Sequence, residues 1–212
     1  MRHEDHLGNR GELRSGDVQW MSAARGIVHS EMPQQERGRM HGFQLWLNLP
    51  GAEKMKPASY RDIPAAQIPV AALPGGGTAK VIAGTLRTGA GTAATAGPVQ
   101  GLSTDPLIAD LVLPPGAAFA AAVPADYTAC LYVYDGSAAV GADGQSLEQH
   151  SAGLLSPGPQ LALQAGAGGA RVLLLVARPI GEPVVQYGPF VMNTREQIKQ
   201  AIEDFSRGEF AG

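Results

Sequence analysis

The stretch that decides the fold of this chain is residues 17–33, which read Asp-Val-Gln-Trp-Met-Ser-Ala-Ala-Arg-Gly-Ile-Val-His-Ser-Glu-Met-Pro. Val18, Trp20 and Val28 are strand formers, so we expect strands here. His29 and Glu31 stand two residues apart, and side chains at i and i+2 share one face of a strand. An imidazole and a carboxylate on one face can form a hydrogen-bonded pair, or they can supply half of a metal site.

Several further segments have the composition and alternation of short strands. In residues 43–49, Phe43, Leu45 and Leu47 fall on one face, which predicts a core strand. Gly, Pro and Asp-Gly signals separate the others, and Asp135-Gly136 and Asp143-Gly144 are the clearest turn marks. The remaining predicted strands are residues 80–86, 109–113, 128–134, 153–155, 160–163 and 171–177. Many short strands with regular turns indicate a sandwich or a barrel.

One helix is predicted near the end of the chain. Asn193 stands three residues before Glu196, as in a capping box. Apolar residues then recur at helical spacing and form a single stripe, which consists of Ile198, Ala201, Ile202 and Phe205. We expect this stripe to pack on the protein's own core, with a partner-binding helix as the alternative.

Composition argues against several classes of protein. The net charge of −3 over 212 residues, with no block of Lys or Arg, predicts no direct nucleic-acid binding. The richest apolar stretch, residues 107–123, is interrupted by Asp110 and Pro114-Pro115, which argues against a membrane protein. Cys130 is the one cysteine, so no internal disulfide can form, and a cytoplasmic location is expected.

A glycine-containing run at residues 89–94, Gly-Ala-Gly-Thr-Ala-Ala, matches a loose dinucleotide fingerprint. No amphipathic helix follows it, because Gly97-Pro98 and Gly101 interrupt the chain. We therefore predict no cofactor-binding residues in this run.

Four runs of the sequence resemble the pirin family of two-domain cupins. They are residues 16–21 (Gly-Asp-Val-Gln-Trp-Met), 25–33 (Arg-Gly-Ile-Val-His-Ser-Glu-Met-Pro), 42–49 (Gly-Phe-Gln-Leu-Trp-Leu-Asn-Leu) and 182–194 (Glu-Pro-Val-Val-Gln-Tyr-Gly-Pro-Phe-Val-Met-Asn-Thr). The resemblance implies an all-β fold of two cupin (jelly-roll) barrels with a C-terminal α-helix. It also implies that the first barrel is incomplete and lacks its N-terminal part.

The resemblance implies three segments. Residues 1–73 would be the remainder of the N-terminal cupin and a connector, and residues 74–180 the C-terminal cupin. Residues 181–212 would return to the first barrel.

Pirin-like proteins hold iron or a related divalent metal through a His-x-His pair, a later His and a Glu. His29 and Glu31 match the later His and the Glu, whereas the His-x-His pair is absent from this sequence. The resemblance gives His3 and His6 no ligand role, and their spacing of three is the wrong parity for one strand face. A divalent metal, iron first and nickel, copper or manganese as alternatives, is therefore expected at His29 and Glu31. The alternative expectation is that the chain binds no metal, because the His-x-His pair is absent.

By resemblance, the leading function is a metal-dependent dioxygenase that cleaves flavonols such as quercetin with O2. Glu31 would be both ligand and catalytic base, and His29 would fix the metal, with Trp20, Phe43 and Trp46 as candidates for an apolar wall. Two alternatives stay open. One is a non-catalytic regulatory module that contacts a transcription or metabolic protein, and the other is a shortened, metal-poor pirin fragment.

Overall fold

The computed structural model describes residues 1–89 and 93–209. The chain forms two compact units, a first unit of residues 1–65 with 180–212 and a second unit of residues 66–179. Strands predominate and one α-helix lies near the C-terminus, so the predicted all-β class with a terminal helix is confirmed. The three-segment division at residues 73 and 180 stays a prediction. Among the described residues, no helix is long and apolar enough to span a membrane.

The first unit begins with two small antiparallel sheets. Their strands are β1 Arg2–Asp5, β2 Arg10–Glu12, β3 Val18–Ser22, β4 His29–Met32 and β5 Ser59–Ile63. One sheet has the order β2-β1-β4, and the other pairs β3 with β5.

The hairpin between β1 and β2 is closed by Asp5. Its carboxylate accepts hydrogen bonds from the Leu7 and Asn9 amides at 3.0 and 2.9 Å and from Asn9 Nδ2 at 2.8 Å. The side-chain bond from Asn9 is the largest influence that lowers the pKa of Asp5. On its other side, β1 pairs with β4.

A predicted core strand at residues 43–49 is wrong. The segment has no strand structure, and Phe43, Leu45, Trp46 and Leu47 are 44%, 39%, 64% and 39% exposed. Two-residue alternation shows which side chains could share a buried face, but a strand also needs a partner for its backbone. In the described part of the chain, no strand pairs with these residues.

The second unit is a ten-stranded antiparallel sheet with the order β6-β7-β10-β15-β11-β8-β9, in which β12 joins β15 to β13 and β14. Its strands are β6 Val70–Ala72, β7 Thr78–Ala83, β8 Thr85–Thr88, β9 Ala93–Ala96, β10 Leu107–Leu113, β11 Ala118–Ala122, β12 Thr128–Val140, β13 Gln145–Leu147, β14 Ser151–Leu154 and β15 Gln160–Ala177. Alternate residues, such as Leu111, Leu131 and Leu174, are fully buried in its core. The apolar faces of the longer strands, such as β10, β12 and β15, therefore line a packed interior.

Two local predictions in the second unit need correction. Residues 160–163 and 171–177 belong to one continuous strand, β15, and Asp135-Gly136 is an irregularity within β12 rather than a hairpin turn. The turn predicted at Asp143-Gly144 is present between β12 and β13. Of the run at residues 89–94, residues 90–92 lie outside the described residues, and the strands on either side of them pair with each other.

The C-terminal segment adds β16 Val185–Tyr187, β17 Phe190–Met192 and α1 Arg195–Arg207 to the first unit. The capping box uses Thr194 and Gln197 instead of the predicted Asn193 and Glu196. Asn193 is engaged elsewhere, because its amide donates to Glu182 Oε2 at 2.9 Å.

The apolar stripe of α1 is only partly buried. Ile198 is buried, whereas Phe205 is 52% exposed and makes an edge contact with Phe190.

Polar contacts join this segment to residues 48–54 of the same unit. Glu182 accepts a hydrogen bond from the Gly51 amide at 2.7 Å. Lys54 Nζ donates to Asn48 Oδ1 at 2.5 Å and to the Val191 carbonyl at 3.0 Å. Burial lowers the pKa of the Lys54 ammonium, and the Glu182 carboxylate opposes that shift.

The irregularity in β12 predicts a specific requirement for glycine at position 136. Gly136 has φ +71°, and a Cβ there would collide with the Gly169 carbonyl of the facing strand β15. Gly141 has nearly the same φ, +72°, but nothing lies within 4 Å of its Cβ position. Both alanine variants should lose about 1–2 kcal/mol from left-handed backbone. Gly136→Ala should lose clearly more, because the strands must also move apart.

Chemical denaturation followed by circular dichroism measures the difference. Equal losses in free energy of unfolding for Gly136→Ala and Gly141→Ala would show that the close approach to Gly169 is unimportant.

Candidate functional site

The candidate site lies on β4. His29 Nδ1 is 3.9 Å from Glu31 Oε1, and the two side chains are 27% and 30% exposed. They therefore share one face of the strand, as the two-residue spacing predicts, and both remain accessible to a ligand. The metal-ligand and base roles of these residues stay predictions.

The neighbouring strand β1 places further polar residues beside this pair. In the antiparallel register, His3 is the direct partner of Glu31, and Asp5 is the direct partner of His29. On its other side, His3 faces Gly11 of β2. Directly opposed residues project to the same face, so His3 and Asp5 lie on the side of the sheet that carries His29 and Glu31.

His3 is buried, at 2% exposure, in a cluster with Tyr60 and Asp62 of β5. The Tyr60 hydroxyl hydrogen-bonds to the His3 ring and donates to Asp62 Oδ1 at 2.5 Å. His3 Nε2 also lies 3.4 Å from Asp62 Oδ1. Gln19 of β3 completes the cluster by donating to the Tyr60 oxygen at 3.3 Å.

Sequence reasoning missed this cluster. The resemblance gives His3 no ligand role and its spacing from His6 argues against one, whereas the register that pairs it with Glu31 is a long-range property. The one local signal was Tyr60-Arg61-Asp62, which places two polar side chains on one face of a strand.

His6 has a different role at the edge of the site. Its Nδ1 accepts a hydrogen bond from the Val28 amide at 3.1 Å, and its own amide donates to the Val28 carbonyl at 2.9 Å. These two bonds fix the chain immediately before His29. His3 and His6 therefore do not act together, in agreement with their spacing.

The three residues predicted to form an apolar wall, Trp20, Phe43 and Trp46, do not form one. Trp20 is half-buried in β3, whereas Phe43 and Trp46 lie in the exposed segment that forms no strand. Their positions give no enclosed apolar surface for a substrate.

The donor set at the site consists of imidazole nitrogen and carboxylate oxygen, both of which bind divalent cations such as iron, nickel, copper or manganese. Across residues 1–89 and 93–209, no group of three or more His, Cys, Asp or Glu side chains is arranged to hold a metal ion. His29 and Glu31 thus fit a divalent cation by chemistry and by shared face, and they would supply two protein ligands.

Comparison with known proteins adds family information. The sequence profile of the family described as pirin matches residues 1–47, and that of the pirin C-terminal cupin domain matches residues 108–211. A Pseudomonas aeruginosa protein, provisionally named a quercetin 2,3-dioxygenase, is 49% identical over 212 residues, which are 100% of this chain and 73% of that protein. Human pirin is 37% identical over 214 residues, with 97% of this chain and 69% of pirin covered.

A solved structure is also similar. The crystal structure of quercetin 2,3-dioxygenase from Acinetobacter baumannii matches with a TM-score of 0.83 and 33% identity, covering 100% of this chain and 72% of that one. The expectation that the first barrel is incomplete is not borne out by these comparisons. The resemblance read from residues 16–49 and 182–194 is confirmed, and the chain belongs to the pirin family of cupin proteins.

Proposed function

We propose that this chain is a metal-dependent dioxygenase that cleaves flavonols such as quercetin with O2. The observation that carries the proposal is the pair His29 and Glu31 on one accessible face of β4. The similarity to the Acinetobacter baumannii quercetin 2,3-dioxygenase, at 33% identity, supports the choice of substrate class.

His29 and Glu31 would hold a divalent cation, iron first, with nickel, copper or manganese as alternatives. When bound, the cation supplies Lewis-acid polarisation of a chelating hydroxy-ketone, the group that flavonols present. His29 and Glu31 would be its two protein ligands, and solvent or substrate would complete its coordination. The exposure of both side chains, 27% and 30%, leaves room for such a ligand to approach.

Glu31 serves as the general base in this proposal. A carboxylate oxygen of Glu31 accepts the proton of the flavonol hydroxyl, which leaves the oxygen anionic and electron-rich for reaction with O2. His29 lies on the same face of β4, where its ring would hold the cation. A small aromatic substrate is therefore the expected partner of the site.

A second candidate function is a regulatory binding module. It is favoured by the apolar residues in the exposed segment 40–47, where Met40, Phe43 and Trp46 are 50%, 44% and 64% exposed. Contiguous exposed apolar residues commonly mark protein interaction sites. An enzyme would depend on His29 and Glu31, whereas a binding module would depend on residues 40–47. Substitutions at the two places therefore distinguish the two functions.

The test begins with the purified chain. Bound iron, nickel, copper and manganese are measured by mass spectrometry, and quercetin absorbance is followed under oxygen. Glu31→Gln should lower quercetin turnover by about 100-fold or more, because loss of a general base typically has effects of this size. His29→Ala should lose most of the metal. His150→Asn is the control, since His150 is an exposed histidine of the second unit with φ +66°, which Asn tolerates.

Metal content and turnover that are the same in His29→Ala and in the control would contradict the proposal. A metal-loaded wild-type chain that leaves quercetin intact would contradict the substrate class. Partner binding that is lost on Trp46→Ser, in a chain without turnover, would favour the module.

A further inference from the structure

Each polar contact in the cluster around Tyr60 can be assigned a hydrogen-bond donor and an acceptor. The phenol carries one proton, and its short contact to Asp62 Oδ1, 2.5 Å, is that of a donor to a carboxylate. The phenol oxygen must then accept from its other neighbours, the His3 ring and Gln19 Nε2. Hydrogen-bond donation thus runs from His3 to Tyr60 and from Tyr60 to Asp62. In the described residues, no buried side-chain N or O atom lacks a partner.

Gly11 shows how closely the cluster is packed. A Cβ at this position would collide with Asp62 Oδ2 and His3 Nε2 and would lie 2.8 Å from the Tyr60 oxygen. The backbone of β2 therefore passes directly against three polar groups, and only a residue without a side chain leaves room for them.

The cluster is connected to the candidate site through the register of β1 and β4. His3 is the direct cross-strand partner of Glu31, so their Cβ atoms lie about 4.5–5.5 Å apart. The His3 ring is turned toward β5 and held there by Tyr60 and Asp62. The imidazole is therefore held in place on the residue that pairs directly with Glu31 across the two strands.

We propose that His3, Tyr60 and Asp62 are positioning residues for Glu31. Their hydrogen-bonded cluster immobilises the imidazole beside Glu31, and this restricts the rotamers through which Glu31 presents its carboxylate. The effect on ligand binding rests on the proposed function of Glu31, whereas the effect on the Glu31 side chain itself does not. Residues that orient a metal ligand without touching the metal typically change its affinity about 10–100-fold.

The first measurement uses the metal-free protein. Carbon-13 NMR of the Glu31 carboxyl group should show a clear shift or line broadening in Tyr60→Phe, which removes only the phenol oxygen. Tyr134→Phe is the matched control, because Tyr134 in the second unit also donates to a carboxylate, Asp110 Oδ1, at 2.7 Å. The control should leave the Glu31 signal unchanged while removing a comparable hydrogen bond.

The second measurement titrates each protein with Co2+ alone and follows the visible absorption bands. Tyr60→Phe should raise the dissociation constant about 10–100-fold, and Tyr134→Phe by less than about twofold. His3→Gln retains an N–H group that reaches toward the phenol, so its dissociation constant should fall between those of wild type and Tyr60→Phe. It also serves as the second variant if Tyr60→Phe fails to fold.

The two measurements separate the two proposals. A wild-type chain that binds no Co2+ defeats the metal site of the proposed function, and the NMR comparison still decides the positioning role. Identical Glu31 signals in Tyr60→Phe, or in His3→Gln if that variant replaces it, and in Tyr134→Phe would overturn the positioning role, even in a chain that binds metal and consumes quercetin.

Gly11→Ala gives an independent route to the same result. The added methyl should displace the cluster and reproduce the Glu31 NMR change of Tyr60→Phe without removing any polar group. Gly42→Ala is its control, since nothing lies within 4 Å of a Cβ at position 42. Tryptophan fluorescence during thermal melting checks folding, because both tryptophans, Trp20 and Trp46, belong to the first unit. A Gly11→Ala protein with the Glu31 spectrum of Gly42→Ala would contradict the proposed role.

Discussion

The pairing of β1 with β4 is the constraint on which the rest of the site depends. Its register runs from Arg2 opposite Met32 to Asp5 opposite His29, and it places one buried imidazole against one accessible carboxylate. Side chains alternate along a strand, so a slip of one residue would turn His3 away from Glu31 and bring Arg2 or Glu4 to that face. The hairpin closed by Asp5 and the two hydrogen bonds between His6 and Val28 hold the strands at their common end.

The two units differ in what fills their interiors, although both are built from antiparallel strands. The second unit is packed with aliphatic side chains such as Leu111, Leu131 and Leu174, and its one histidine, His150, is exposed. The first unit contains a buried histidine, His3, in contact with a half-buried tyrosine and a half-buried aspartate, Tyr60 and Asp62. Buried polar groups stabilise a fold only when every partner is present. The proposed site residues, His29 and Glu31, and the cluster around Tyr60 all belong to the first unit.

The sequence was informative where the determinants are local. The two-residue spacing of His29 and Glu31 in a strand context predicted their shared face, and Asp143-Gly144 predicted a turn. The helix was predicted with its start one residue early, because Asn193 and Thr194 are both good caps and a contact with Glu182 decides between them. The prediction of a strand at residues 43–49 was wrong, because alternation describes the side chains and carries no information about a partner for the backbone. The Tyr60 cluster was missed because it joins three strands at the start of the chain, β1, β2 and β3, to β5, which is distant in sequence.

A site with few protein ligands depends strongly on what surrounds each ligand. When three or four side chains converge on a cation, each is partly oriented by the others through the metal, and freedom in one of them is tolerated. In the proposed site, His29 and Glu31 would be the two protein ligands among the described residues, so the entropy of ordering the Glu31 side chain would oppose binding directly. A fixed imidazole beside Glu31 removes part of that freedom before any ligand arrives. The proposed positioning of Glu31 would give a physical reason for burying the polar side chain of His3 in the strand that pairs with β4.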